Sequence, residues 1–170
     1  RPSVVFGPED QFLNLFAKLL RLFPLMPLAR ADARFQPVFV GDLAEAIVNA
    51  LERPVTIGKT YECTGPDVYT LRELVQAAGR WAGHERPVFG LPGGLAQLQA
   101  RVMEMLPGEP LMSRDNLASM RVPNIATGTL PGLDALGIRA TALSAIAPMY
   151  LGHGRGPARM DAWRARARRG

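Results

Sequence analysis

The side chains best suited to moving protons in this sequence are three tyrosines and two lysines. A phenol becomes a useful general acid when an ammonium on the same helical face lowers its pKa, which places the lysine four positions on. Tyr61 is followed at that spacing by Gly65, Tyr69 by Glu73 and Tyr150 by Gly154; Lys18 and Lys59 are preceded by Asn14 and Val55. The chain supplies no such pair. A phosphate-bearing cofactor needs a glycine-rich turn between strand and helix, so that backbone N–H groups reach the pyrophosphate. Gly90, Gly93 and Ala96 have a loose G-x-x-G-x-x-A spacing. Pro92 removes a donor inside that turn and the strand before it is short, so the phosphate reading is the weaker one.

The remaining reactive side chains stand apart. His84 and His153 have no second histidine or carboxylate at ligand spacing, and no metal site is expected. Cys63, the one cysteine, excludes an internal disulfide and reads as a small core residue in a strand. Asp42 could touch a ligand, but Asp42 with Glu45 has the spacing of a capping box, and the cap is the preferred reading.

These residues must be placed by alternating strands and helices. The run 2–6 (PSVVF) reads as a buried strand closed by Gly7-Pro8. Residues 10–23 read as a helix with Asp10 as N-cap and Phe12, Leu15, Phe16, Leu19, Leu20 and Phe23 on a wide apolar face. The stretch 24–32, punctuated by Pro24 and Pro27, reads as irregular. A strand follows at 34–40, with Pro37 implying an edge or bulge. The pattern then predicts a helix over 43–52 with Leu43, Ile47, Ala50 and Leu51 inside, and a strand at 60–64. A helix follows, capped by Thr70 with Glu73 and closed by Gly83. A short strand at 87–91 and an amphipathic helix at 94–106 come next. Ser113 and Thr141 are candidate caps of helices reaching Met120 and Leu151.

Residues 153–170 hold six arginines and one aspartate, a net +5 equal to the whole chain's formal charge, so the other 152 residues are neutral. The basic pI therefore describes a tail and no basic groove in the body. The apolar content of 48% suits a globular domain. No uninterrupted apolar run reaches the ~18–20 residues of a membrane span, and no signal-peptide order is visible. With Arg1 in first place, a processed form or a fragment is expected.

Three blocks resemble the extended and atypical short-chain dehydrogenases. The first is Arg1-Pro2-Ser3-Val4-Val5-Phe6-Gly7-Pro8-Glu9-Asp10. The second is Phe35-Gln36-Pro37-Val38-Phe39-Val40-Gly41-Asp42-Leu43-Ala44-Glu45-Ala46-Ile47. The third is Gly58-Lys59-Thr60-Tyr61-Glu62-Cys63-Thr64-Gly65-Pro66 with Tyr69-Thr70-Leu71-Arg72-Glu73-Leu74. The Gln36-Pro37-Val38 form, Gly132-Leu133 with Leu136-Gly137-Ile138, and Tyr150-Leu151 are most similar to the short-chain-dehydrogenase-like accessory subunits of respiratory complex I and their bacterial relatives.

The resemblance implies an α/β fold, the C-terminal part of a Rossmann-like parallel sheet followed by a mostly helical substrate or cap region. It divides the chain into 1–91 (late strands and helices of the Rossmann-like domain with interleaved cap segments) and 92–151 (helical cap), while composition alone marks 152–170 as an arginine-rich tail expected to be disordered. It implies a parent that holds NAD or NADP and serves assembly or stability, with the glycine-rich loop and the Tyr-x-x-x-Lys pair outside this chain. It places Pro2, Ser3 and Val5 along the nicotinamide, and leaves Val4 and Phe6 to the core. The chain alone is expected to bind no cofactor. Its partners would be the missing N-terminal half of the fold and complex I subunits, in the cytoplasm, on the inner face of a bacterial membrane or on the mitochondrial matrix side. The alternative is a fragment of an active NAD(P)-dependent reductase or sugar-nucleotide epimerase.

Arg155, Arg159, Arg164, Arg166, Arg168 and Arg169 would make any tail contact with anionic lipid, nucleic acid being the weaker candidate; deleting residues 153–170 should then abolish binding to anionic vesicles at low salt. A sheet lacking its first strands exposes an edge and half an apolar face. The isolated chain should therefore be marginal or self-associating. A sharp cooperative melt of a species that sediments as a monomer would contradict this.

Overall fold

The structure, a computed structural model, describes residues 1–92 and 120–152. Four sequence expectations lie outside those residues: the helix at 94–106, the helix from Ser113, the Gly93–Ala96 part of the glycine pattern, and the tail from His153 onward.

Local chemistry sets the first and third helices. Helix α1 (Gln11–Leu22) starts where extended Asp10 accepts the Leu13 N–H at 2.6 Å. Its buried residues are Leu13, Phe16 and Leu20, and Phe12 packs edge-on to Phe16. Phe23, expected on the same face, instead ends the helix in extended conformation, half exposed. Helix α3 (Leu71–Ala82) has the complete capping box: the Thr70 hydroxyl accepts the Glu73 N–H at 3.2 Å and the Glu73 carboxylate accepts the Thr70 N–H at 2.7 Å. Gly83, at φ 75°, closes it in the left-handed region.

The strands are short and pair in twos. Strand β1 (Val5–Phe6) runs parallel to β4 (Val38–Phe39), with Val5 opposite Val38. Strand β2 (Met26–Ala29) runs parallel to β6 (Val88–Leu91), with Met26 opposite Val88. Strand β3 (Arg34–Phe35) is antiparallel to β5 (Tyr69–Thr70). Strand β2 corrects the irregular reading of 24–32. Its Pro27 is tolerated because a two-stranded sheet consists only of edges. The single strand expected at 34–40 is two strands, broken at Gln36-Pro37, which serve different partners. The strand expected at 60–64 is an extended segment tied to the first residues: Arg1 donates its N-terminal ammonium to Tyr61 O, Cys63 N–H to Arg1 O, and Ser3 N–H to Cys63 O.

Helix α2 (Val40–Glu52) departs further from expectation. It begins three residues early, after Phe39, with no side-chain cap. Asp42 lies inside the first turn and is buried, so the capping box is not made. Its carboxylate accepts the N–H and hydroxyl of Thr141 at 2.6 and 2.9 Å. Thr141 is thereby removed from capping the last helix, α4 (Leu143–Leu151), which follows Ala142 uncapped. The inner stripe is also rotated. Ala46 and Asp42 are buried and Leu43 and Ala50 partly so, whereas Ile47 and Leu51 face outward.

Two apolar clusters result. The larger joins α1, β2, α3 and α4 through Leu20, Leu28, Leu74, Val75, Leu143 and Ala147. The smaller joins α2 to the stretch 133–138 through Val38, Ala46, Cys63, Leu133, Leu136 and Ile138. Helices together with parallel strand pairs make this an α/β structure of Rossmann-like type.

Gly65 is held where a Cβ would collide with the Pro37 carbonyl oxygen, a backbone atom that cannot swing away. Gly65→Ala should therefore cost about 2–3 kcal/mol, by analogy with overpacked cores. Gly58→Ala, with open space around it but φ 73°, should cost about 1 kcal/mol from backbone strain alone. Urea midpoints of the two variants test the order.

Candidate functional site

Pro2, Ser3 and Val5, the residues expected beside a nicotinamide, lie at the start of β1, where three distant stretches meet. Ser3 is 6% exposed. Its hydroxyl donates to Asn124 O at 2.9 Å and accepts the Gln36 N–H at 3.3 Å. The same Gln36 N–H also reaches Asn124 O at 3.0 Å. The Gln36 side chain completes the junction: its amide nitrogen donates to Gly65 O at 2.8 Å and its amide oxygen accepts the Ala126 N–H at 2.9 Å. Residues 1–6, 36–38, 63–65 and 124–126 are thus crossed at one point, and the β3–β4 break at Gln36-Pro37 is what turns the amide into it.

Neighbouring carboxylates are committed in the same manner. Buried Glu62 accepts the Thr127 N–H at 2.8 Å and the Thr127 hydroxyl at 2.9 Å. Asp42 accepts both Thr141 donors. Asp10 caps α1 with one oxygen and accepts the Tyr150 hydroxyl at 2.6 Å with the other. Burial and then the Asp10 carboxylate hold the Tyr150 phenol far above its ordinary pKa. Tyr69, beside Asp67, is raised as well, with desolvation the leading cause. Burial raises the Cys63 thiol, so this core residue is a poor nucleophile. The carboxylates of Asp10, Asp42 and Glu62 act as fasteners between segments distant in sequence.

The polar groups of Pro2, Ser3 and Val5 are largely occupied within the protein. Pro2 has no N–H, the Ser3 N–H and hydroxyl are already used, and Val5 borders an apolar seam with no room for water. In the following turn the Gly7 N–H points at the Asp10 carboxylate, 3.5 Å away. A separate open cleft of about 990 Å³ runs along the polar side of α1, lined by Asp10, Asn14, Lys18, Arg21, His84 and Leu151 among others. None of Pro2, Ser3 or Val5 reaches it. Among the described residues no group of three or more His, Cys, Asp or Glu could hold a metal ion.

Sequence reasoning missed Glu62, Thr127 and the hydrogen bonding of Gln36. Their partners lie 29 to 90 residues away, and no local pattern marks such pairs.

No family model matches the chain. A solved nucleoside-diphosphate-sugar epimerase from Staphylococcus aureus superposes with a TM-score of 0.57 over 89% of this chain and 50% of its own, at 16% identity. That likeness shows a shared fold and nothing of the chemistry. Sequence relatives are narrower in kind. The rat mitochondrial protein NADH dehydrogenase (ubiquinone) 1 alpha subcomplex subunit 9 is 35% identical over 145 residues, 84% of this chain and 38% of that one. Its Arabidopsis thaliana namesake is 42% identical over 78 residues, 45% of this chain and 19% of that one. Over the matched residues the chain is related to these subunits, and it spans about 38% of the rat relative's length.

The alkaline limb of stability follows from the phenols. Unfolded tyrosines ionise near pH ~10, while native Tyr150 stays protonated well past it and Tyr69 is shifted in the same direction. The native state then binds more protons than the unfolded state, so stability present below pH ~10 is lost as pH rises further. Tyr150→Phe should cost about 1 kcal/mol at pH 8 and flatten the decline above pH ~10, read from urea midpoints. An unchanged alkaline slope would remove Tyr150 as its source.

Proposed function

We propose that this chain is the later part of a nucleotide-binding-fold subunit of NADH:ubiquinone oxidoreductase, acting in assembly and stability and non-catalytic by itself. The observation that carries the reading is the identity to the rat subunit, 35% across 84% of the chain. Two features of the chain agree with it. No tyrosine has a lysine at the spacing that acid–base chemistry requires. The carboxylates around β1 are spent on fastening residues 120–152 to the rest, as befits a rigid scaffold.

In this reading NAD or NADP belongs to the whole parent. Its phosphates are gripped by residues outside this chain, and the main chain of Pro2, Ser3 and Val5 lies along the nicotinamide. Partners are the other part of the same fold and further subunits of the oxidoreductase. The relatives are named as mitochondrial, and among the described residues no helix is long and apolar enough to cross a membrane. A peripheral position on the matrix side, or on the inner face of a bacterial membrane, is consistent with both. The arginines from Arg155 to Arg169 would add a weak contact to anionic lipid.

The test is native electrophoresis of membranes from cells carrying a tagged parent protein. The tag should co-migrate with NADH dehydrogenase activity, and depletion should lower the assembled enzyme several-fold. A purified parent that oxidises NADPH with a sugar nucleotide or carbonyl substrate, and never co-migrates, would replace this reading with the reductase or epimerase one.

A further inference from the structure

We propose that the open cleft along the polar side of α1 binds a phosphate-bearing ligand, with the phosphate held between Lys18, Arg21 and His84. Gln11, Asn14, Lys18 and Arg21 recur at helical spacing, so one stripe of α1 lines the cleft. The two cations stand one turn apart in its C-terminal half, both exposed. His84 reaches the same cleft from the turn that follows α3. Its N–H donates to Gly79 O at 2.8 Å, which folds the turn back toward α1. A Cβ at position 79 would meet the His84 carbonyl oxygen at 2.9 Å and the Leu20 side chain at 3.0 Å, so the glycine admits this close approach. Among the described residues, the side chains of Lys18, Arg21 and His84 have no hydrogen-bond or salt-bridge partner. The polar groups at the other end are spent: Asp10 on Leu13 and Tyr150, and the Asn14 amide on the Pro8 and Asp10 carbonyls.

Size and charge select the ligand. The volume of about 990 Å³ stands at the upper end of the ~300–1,000 Å³ range of small-molecule sites. The C-terminal ends of α1 and α3 each present about half a negative charge, less together than the two full charges of Lys18 and Arg21. Glu9 and Asp10 lie eight or more residues back from Lys18, about 12 Å along the axis. The cleft is thus cationic at one end and acidic at the other, unlike the continuous basic stripe that follows a nucleic acid. A phosphomonoester brings up to about two negative charges and three acceptor oxygens, which suit an ammonium, a guanidinium and an imidazole together. Leu15 and Leu151 give the rest of the ligand an apolar wall. Two sources carry this chemistry, a soluble phosphomonoester and a lipid headgroup. For the second, Leu22, Phe23 and Leu25 stand exposed just past Arg21, where acyl chains would lie.

The experiment titrates the purified parent protein with glycerol 3-phosphate and, separately, with phosphatidylcholine vesicles containing phosphatidic acid. Lysine acetylation read by mass spectrometry locates the site. Saturating probe should shield Lys18 and leave Lys59, the other lysine of this chain, as reactive as before. Lys18→Glu combined with Arg21→Glu should weaken binding at least about tenfold with the circular dichroism unchanged, because both side chains start exposed. His84→Ala should weaken it about threefold, and Lys59→Glu should leave it within about twofold. Where the double charge reversal does not fold, Lys18→Gln with Arg21→Gln carries the same comparison. Binding of glycerol 3-phosphate assigns a soluble ligand, and binding of the acidic vesicles alone assigns a lipid; with Lys18 shielded, either result supports the cleft. The proposal is overturned if neither probe binds at low salt, or if binding leaves Lys18 unshielded or survives the double reversal. Binding that is lost only on deleting residues 153–170 belongs to the tail and overturns it as well.

Discussion

The side-chain amide of Gln36 and the hydroxyl of Ser3 form the constraint on which the arrangement of this protein depends. Between them they join the first strand, the segment before Gly65 and the segment 124–126, none adjacent in sequence. A half-buried amide with both ends paired contributes modestly, and removing a partner leaves a partly desolvated donor or acceptor at a cost of about 1 kcal/mol. The junction is therefore worth more as a specifier than as a source of stability. Gly65 has to be a glycine because the same crossing brings Pro37 against it.

Three further fasteners repeat the principle. Glu62 with Thr127, Asp42 with Thr141 and Asp10 with Tyr150 each set a carboxylate from the first part of the chain against a hydroxyl of the last described part. Each closes a loop of 65 to 140 residues. Such loops are entropically expensive to close, which the two apolar clusters offset by burying Leu133, Leu136, Leu143 and Ala147. Side chains that elsewhere would be candidates for acid–base work are thus consumed in holding residues 120–152 in place.

The extended short-chain dehydrogenase fold is a platform with separable chemistry: remove the phosphate loop and the phenol–lysine pair, and a rigid, surface-rich α/β body remains. The portion described here spends its carboxylates on joining distant segments, and it turns the apolar residues Ile47 and Leu51 of α2 away from both of its clusters.

Where capping and periodicity act within one or two turns, the sequence alone was sufficient. It defined α1 with its Asp10 cap, α3 with its Thr70–Glu73 box and Gly83 stop, the apolar character of Cys63, and the lack of any Tyr-x-x-x-Lys pair. The three short-chain-dehydrogenase blocks were legible for the same reason, being contiguous. Asp42 shows where such reading ends. Its spacing to Glu45 satisfied a local rule, yet the carboxylate went to Thr141, 99 positions on, and the start of α2 moved with it. Strand β2 was hidden because Pro24 and Pro27 look irregular until a parallel partner at 88–91 is supplied. The side of α2 that faces inward was undecidable locally, since the helix is apolar on both sides and periodicity does not say which one a given cluster covers. Tertiary structure alone settles such choices, because they depend on which distant surface arrives, and side-chain order along a chain carries no measure of that.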